Sequence, residues 1–395
     1  MFRSFYMAGF ECTTGKNVHG DPIEQVAATR HDVEADADYA RLVDVGIYSI
    51  REGSRWNLID RGGRYDFGPL EAFVRAARRY AVEPVWDLFH YGYPADLDPF
   101  SEEFAGRLAR YAAAVARYVT RELPGPYSFT PVNEPSYMAW AAGEVGRFAP
   151  HEHGRGHELK LSLVRAQVAA VRAIRDVCPS ARIVTVDPVC HVAPPADAEP
   201  DQVRRALDFN ENVVFQFMDA VSGVTHRELG GSRGALGIVG LNYYDTNQWE
   251  LDKADGPLAP SDPRHVRLAV LVERAARRYG GTVMISETAA AGDARAAWID
   301  ELSATSVELL ARGVDLAGVC FYPVLGMPEW HDPSRWTQMG LWDVLPCANF
   351  ARKPHGPSLR ALARAQRMLA AYRIGQGIKL PHQGAMGEGS PVAQR

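Results

Sequence analysis

One scheme runs along most of the chain: short apolar runs rich in β-branched and aromatic residues alternate with longer stretches whose apolar residues recur at helical spacing. The runs predict strands over Phe5–Glu11, Gly46–Arg51, Glu83–His90, Tyr127–Asn133, Arg182–Asp187, Leu236–Tyr244, Thr282–Glu287 and Ala317–Pro323. The stretches between and after them predict helices over Val33–Val45, Pro69–Tyr80, Ser101–Glu122, His157–Val177, Pro200–Ala220, Asp262–Tyr279, Ala294–Arg312 and Pro357–Tyr372. In the third of these Ser101 is placed as an N-cap. Phe104, Leu108, Tyr111, Val115 and Val119 mark its inner face, and Arg107, Arg110, Arg117 and Arg121 take the others.

Strand and helix in strict alternation predict βα units and a parallel sheet. Eight units, with no Gly-rich phosphate turn, fit a single closed (β/α)8 TIM barrel with enlarged βα loops better than an open doubly wound sheet. Long loops are expected at Pro194–Pro200 and Asp252–Pro263. No linker interrupts the array, so residues 1–373 are expected to form one barrel domain. The Gly-, Pro- and Gln-rich residues 374–395 form a flexible C-terminal tail in this reading.

Composition narrows the class. Of 395 residues 47% are hydrophobic and 23% charged, enough to bury a large core. The 43 Lys and Arg against 48 Asp and Glu give a net charge of −5 with no block of either sign, which argues against nucleic acid as a partner. No run reaches the length of a membrane span, and the start lacks the regions of a signal peptide, so a cytoplasmic location is expected. Five scattered cysteines without a Cys-x-x-Cys pair are read as reduced thiols.

Barrel enzymes carry their catalytic groups where the strands end. Here the runs end on Glu11, Arg51 with Glu52, His90, Asn133 with Glu134, Asp187, Asn242 with Tyr243 and Tyr244, Glu287, and Tyr322 followed by the loop pair Glu329 and Trp330. Carboxylates after so many strands must each be solvated or paired, which a purely structural barrel does not require. Glu134 ends the fourth run and Glu287 the seventh, so both can project into one mouth. Two carboxyls in different electrostatic states, one on each side of a glycosidic bond, can hydrolyse it.

These segments resemble family 1 glycoside hydrolases, the β-glucosidase and β-galactosidase family. Phe-Thr-Pro-Val-Asn-Glu-Pro with Gly146-Arg-Phe-Ala-Pro150 is similar to that family's fourth βα unit. Gly240-Leu-Asn-Tyr-Tyr is similar to its sixth strand, and Ile-Ser-Glu-Thr to its nucleophile strand. Gly46, Arg51 and Trp56, Leu88-Phe-His-Tyr-Gly-Tyr-Pro94, and Pro328-Glu-Trp330 with Gly340-Leu341 extend the resemblance, in order, from about Phe5 to Trp342. It implies a retaining β-glycosidase acting on a small glycoside, with neither metal nor organic cofactor. Glu134 would be the general acid and base and Glu287 the nucleophile, held ionised by Arg51 and oriented by Tyr244. Asn133 would bind the sugar 2-hydroxyl, and His90, Glu329 and Trp330 the rest of the sugar, with Asn242, Glu11 and Tyr322 in support. The chain departs from the family at several places: Glu11 for a glutamine, Thr-Ala after Glu287 for Asn-Gly, Tyr322 for a tryptophan, and Gly-Met-Pro before Glu329 for Asp-Asn-Phe.

Three other readings compete. One is a transglycosidase or a β-glycosidase for another sugar. A second is a non-catalytic sugar-binding or sensor barrel, and the presence of both glutamates argues against it. The third is a metal enzyme using His151-Glu-His-Gly-Arg-Gly-His157, whose spacing is not the His-Glu-x-x-His of a helical zinc site.

Overall fold

The computed structural model describes residues 1–253 and 256–377. Eight parallel strands close into a barrel in chain order: β1 (Tyr6–Gly9), β2 (Ser49–Gly53), β3 (Glu83–Asp87), β4 (Ser128–Thr130), β5 (Arg182–Pro188), β6 (Ile238–Asn242), β7 (Val283–Thr288) and β8 (Leu316–Phe321). Each pairs with the next, and β8 pairs back onto β1 with Tyr6 opposite Val319. The outer ring comprises α1 (His31–Asp44), α2 (Gly68–Tyr80), α3 (Glu103–Glu122), α4 (Gly156–Val177), α5 (Pro200–Glu211), α6 (Leu268–Tyr279), α7 (Arg295–Ala311) and α8 (Gly356–Gly375). No helix among the described residues is long and apolar enough to cross a membrane.

Alternation along the strands divides the apolar residues into two cores. Met7, Val85, Val184, Val186, Met284 and Cys320 point inward and fill the barrel. Ile50, Trp86, Phe129, Leu241 and Ile285 point outward against helix residues such as Tyr39, Phe73, Tyr111 and Leu163. The same parity separates two neighbours at the end of β2. Arg51 enters the barrel, whereas Glu52 turns to the helix layer and accepts bonds from His31 (3.1 Å) and Tyr39 (2.9 Å) of α1.

The structure corrects several expected boundaries. The third helix begins at Glu103 and not at Ser101, whose hydroxyl closes a turn onto the Asp98 carbonyl at 2.7 Å. Arg107, placed on an outer face by spacing alone, is buried and grips Asp60 of the β2–α2 loop through Nε at 2.7 Å. The fifth helix breaks after Glu211, where Asn212 turns its side chain back to Asp208 (2.7 Å), and a shorter helix follows over Gln216–Ser222. The sixth begins at Leu268 because Asp262 folds the preceding segment into a turn, accepting from the Arg264 amide at 2.9 Å. The loop expected at Asp252–Pro263 includes residues 254–255, outside the described residues. The last helix continues to Gly375, past the expected start of the tail, and residues 378–395 lie outside the described residues.

Candidate active site

Strand alternation sends alternate residues into the barrel, so consecutive residues reach the mouth only where the backbone leaves the strand. That happens twice. Glu134 has φ 43° and Tyr91 has φ 70°, left-handed conformations uncommon for residues with a side chain. Each follows a residue that already faces the mouth. Asn133 and Glu134 both enter it from β4, and His90 and Tyr91 both enter it from β3. Pro135 then starts a short helix whose Ser136 is held by Asp187 at the end of β5, through its amide (2.9 Å) and its hydroxyl (2.6 Å).

Arg51 is the centre of the site and is fully buried. Its Nη1 donates to Glu287 Oε1 at 2.7 Å and to the Ser286 carbonyl at 3.0 Å. Its Nη2 donates to Asp87 Oδ1 at 2.9 Å and to Asn133 Oδ1 at 2.8 Å. The Tyr322 ring lies 5.0 Å from the guanidinium carbon, a cation–π contact from β8. Glu287 takes a second donor on its other oxygen, the Tyr244 hydroxyl at 2.9 Å. Glu134 is held by two different donors, Tyr91 Oη at 2.6 Å on Oε2 and Asn242 Nδ2 at 2.9 Å on Oε1. Ser286 fixes the Asn242 amide by donating to its oxygen at 2.6 Å.

The Asn133 oxygen is committed to Arg51, so its amide nitrogen is the donor to His90 Nε2 at 3.1 Å. The proton of His90 then sits on Nδ1, facing Cys12 Sγ at 3.2 Å and the Tyr322 hydroxyl at 3.5 Å. Burial, helped by Arg51, pushes the imidazole well below its ordinary pKa, so it is neutral. Burial raises both Glu134 and Glu287 above the ordinary carboxylate range. Tyr91 and Asn242 pull Glu134 back; Arg51 pulls Glu287 back, and the Glu134 charge pushes it up. Only Glu287 is bonded to a full positive charge, so when the two carboxyls share one proton Arg51 favours the negative charge on Glu287.

The remaining sequence candidates separate. Glu11 is buried beside His90, 3.9 Å from Nε2, and accepts the Thr13 amide at 2.9 Å. Trp330 packs edge-on to Tyr91 with centroids 6.0 Å apart and near Phe148 at 5.5 Å, forming a wall of the mouth. Glu329 stands apart: its side chain is 42% exposed and faces Arg335 at 3.8 Å. The site also contains Tyr91, Asp87, Ser286 and Cys12, which the sequence reading did not single out. Cys12, Asp87 and His90 offer ligand atoms within 4.8 Å of one another, though the guanidinium on Asp87 opposes a cation there. Residues 151–157 form no such group among the described residues; His151 bonds the Gly146 carbonyl at 3.1 Å, while His157 lies against His226.

No protein-family model and no curated protein sequence matches the chain. Solved structures do. The family 1 β-glucosidase from Thermotoga maritima superposes with a TM-score of 0.76 at 16% identity, over 92% of this chain and 97% of that chain. The β-glucosidase from Thermotoga maritima in complex with glucoimidazole gives 0.76 and 16% over 92% and 98%. The same enzyme with deoxynojirimycin gives 0.75 and 17% over 92% and 98%. At such identity the likeness is one of fold: the chain has the (β/α)8 barrel of these β-glucosidases.

Proposed function

We propose that the protein is a retaining β-glycosidase for a small β-linked glycoside, working by double displacement through Glu134 and Glu287. The observation that carries this reading is a pair of buried carboxyls, one following β4 and one on β7, with different partners, hydroxyl and amide donors on Glu134 and a guanidinium on Glu287. Such a difference divides the labour of acid and nucleophile. Glu134 gives its proton to the glycosidic oxygen as that bond breaks, and the Glu287 carboxylate bonds to the anomeric carbon. Glu134, now charged, takes a proton from water, the water oxygen bonds to the anomeric carbon, and the bond to Glu287 breaks. Arg51 and Tyr244 hold the nucleophile on both oxygens. Tyr91 and Asn242 stabilise the Glu134 carboxylate after it has given up its proton. Asn133 has its amide fixed by Arg51 and His90, which suits it to bind the sugar 2-hydroxyl, and Trp330 supplies an aromatic wall.

The fold likeness to β-glucosidases supports the same class of substrate. The test is mass analysis of peptides after incubation with activated 2-deoxy-2-fluoro-β-glycosides of the gluco, galacto, manno, fuco and xylo series. An adduct on the peptide carrying Glu287 is expected. An adduct on another carboxylate would remove Glu287 from its role. No adduct together with no sugar released from the matching simple glycosides would favour a sugar-binding barrel.

A further inference from the structure

The charges in the mouth do not balance. Glu11, Asp87, Glu134 and Glu287 are all buried there, and Arg51 is the one cation bonded to any of them among the described residues. Both of its terminal nitrogens are engaged, with Glu287 and Ser286 on one side and Asp87 and Asn133 on the other. Glu11 is left with Thr13 alone as a donor, through its backbone N–H at 2.9 Å and the hydroxyl close to it, and its nearest basic side chain is His90. That imidazole offers no charge, and its near nitrogen accepts from Asn133. A buried carboxyl in this position either stays protonated or is matched by a cation brought in by the ligand. Burial pushes Glu11 up to about 7.

We infer that the substrate's glycone carries a basic amino group, borne away from the anomeric carbon, which pairs with Glu11. The inference rests on the glycosidase reading above. Glu11 follows β1, and a chain of contacts through His90, Asn133 and Arg51 separates it from Glu287, which sets the group that meets it apart from the bond being cleaved. The carboxylate offers acceptors only, and an ammonium offers donors only, so the pair satisfies both when water is excluded. A neutral sugar leaves Glu11 either charged without a partner or holding its own proton. The four carboxyls around a single guanidinium favour a cation in the mouth as a whole: Glu11 and Glu134 both lack an ion-pair partner among the described residues, but Glu134 has a donor on each oxygen from Tyr91 and Asn242, whereas Glu11 has donors from Thr13 alone.

The experiment compares p-nitrophenyl β-glycosides of the glycone that labels Glu287, or of glucose if none does, with their 3-amino-3-deoxy, 4-amino-4-deoxy and 6-amino-6-deoxy counterparts. Each is assayed near pH 7 with the wild type and with Glu11→Gln, which keeps an oxygen for the Thr13 amide. One amino isomer is expected to be preferred over its parent by roughly ten- to hundredfold in kcat/KM, the range of a hydrogen bond to a charged group, and Glu11→Gln is expected to abolish that preference mainly through KM. Preference for the parent over all three amino isomers, or a preference that survives in Glu11→Gln, overturns the inference. If no glycoside is cleaved and no adduct forms, calorimetry with the free amino sugars separates the two ideas. Binding that requires Glu11 retains the ammonium site without hydrolysis, and absence of binding removes it.

Discussion

Tyr91 and Glu134 reach each other because both residues abandon strand geometry, and their bond of 2.6 Å joins two strained backbones. The hydroxyl donates to the charged form of Glu134 and so lowers its pKa. Tyr91→Phe removes that donor, which raises the pKa of the acid. Activity that requires protonated Glu134 should then persist to higher pH. The alkaline limb of kcat/KM is expected to move upward, with kcat falling by roughly tenfold or more for loss of a charge-assisted bond. A limb that stays in place or moves down would separate Tyr91 from the acid. Glu134→Ala has a different signature. Substrates with good leaving groups should still label Glu287, turnover should fall by roughly 10²–10⁴, and azide should restore it by attacking the glycosyl-enzyme where no general base is needed. Azide without effect would count against Glu134 as acid and base.

Among the elements, α1 is tied to the barrel by an ionic contact. His31 is buried between Asp38 of its own helix at 2.9 Å and Glu52 of β2 at 3.1 Å, and Arg352 from the strand Ala351–Pro354 closes onto Asp38 at 2.8 Å. Its ring stacks on Phe10, centroids 3.6 Å apart. His31→Gln would leave the buried Glu52 carboxylate without a cationic partner while Asp38 keeps Arg352, a loss of about 3–5 kcal/mol and a fall in Tm of about 4–6 °C in a thermal melt. An unchanged Tm would mean that the contact contributes nothing net. A closer steric limit exists at Gly9 of β1, where an added Cβ would lie 2.0 Å from the Tyr322 ring that covers Arg51. The order of the strands was legible because each is buried on both faces and so reads as an apolar run. Arg51, His90, Asn133, Glu134, Asn242, Tyr244 and Glu287 were legible as polar residues at run ends, and the structure joins them, with Ser286 linking Arg51 to Asn242, in one hydrogen-bonded set. Tyr91 was not, because the neighbour of an inward His90 should point outward and only its positive φ reverses this. Glu52 illustrates the opposite error: it ends a run beside Arg51, yet parity sends it to His31. Glu329 lies in a loop with no periodicity to locate it, and it faces Arg335. The break after Glu211 depends on a side chain of Asn212 turning back, which apolar spacing does not register.

For the whole molecule, the buried acids and His31 make proton uptake part of folding. Burial pushes Glu11 and Asp187 to about 7 each and raises Glu134 and Glu287, whereas the same carboxyls in the unfolded chain release their protons near 4. Burial pulls His31 down, but the carboxylates of Glu52 and Asp38 outweigh it and hold the ring up at about 9, against about 6.5 unfolded. A group raised in this way stabilises the fold below its unfolded pKa, and that contribution is lost as the pH rises through the folded value. His90 acts in the other direction, but only below about pH 6.5, where the unfolded imidazole is charged and the buried one is not. Above that point the folded chain binds more protons than the unfolded chain, so stability must fall with pH, by about 1.4 kcal/mol per pH unit for each proton of difference. Thermal melts from pH 6.5 to 9 are therefore expected to show a steadily decreasing Tm. His31→Gln should flatten the slope while lowering Tm throughout, because it removes a group that titrates in this window. Glu11→Gln should raise Tm at pH 8, because it removes a buried carboxylate without a cationic partner. A Tm that rises over the same range would mean that these groups are solvated or paired in solution, and the unbalanced charge around Glu11 would disappear with them.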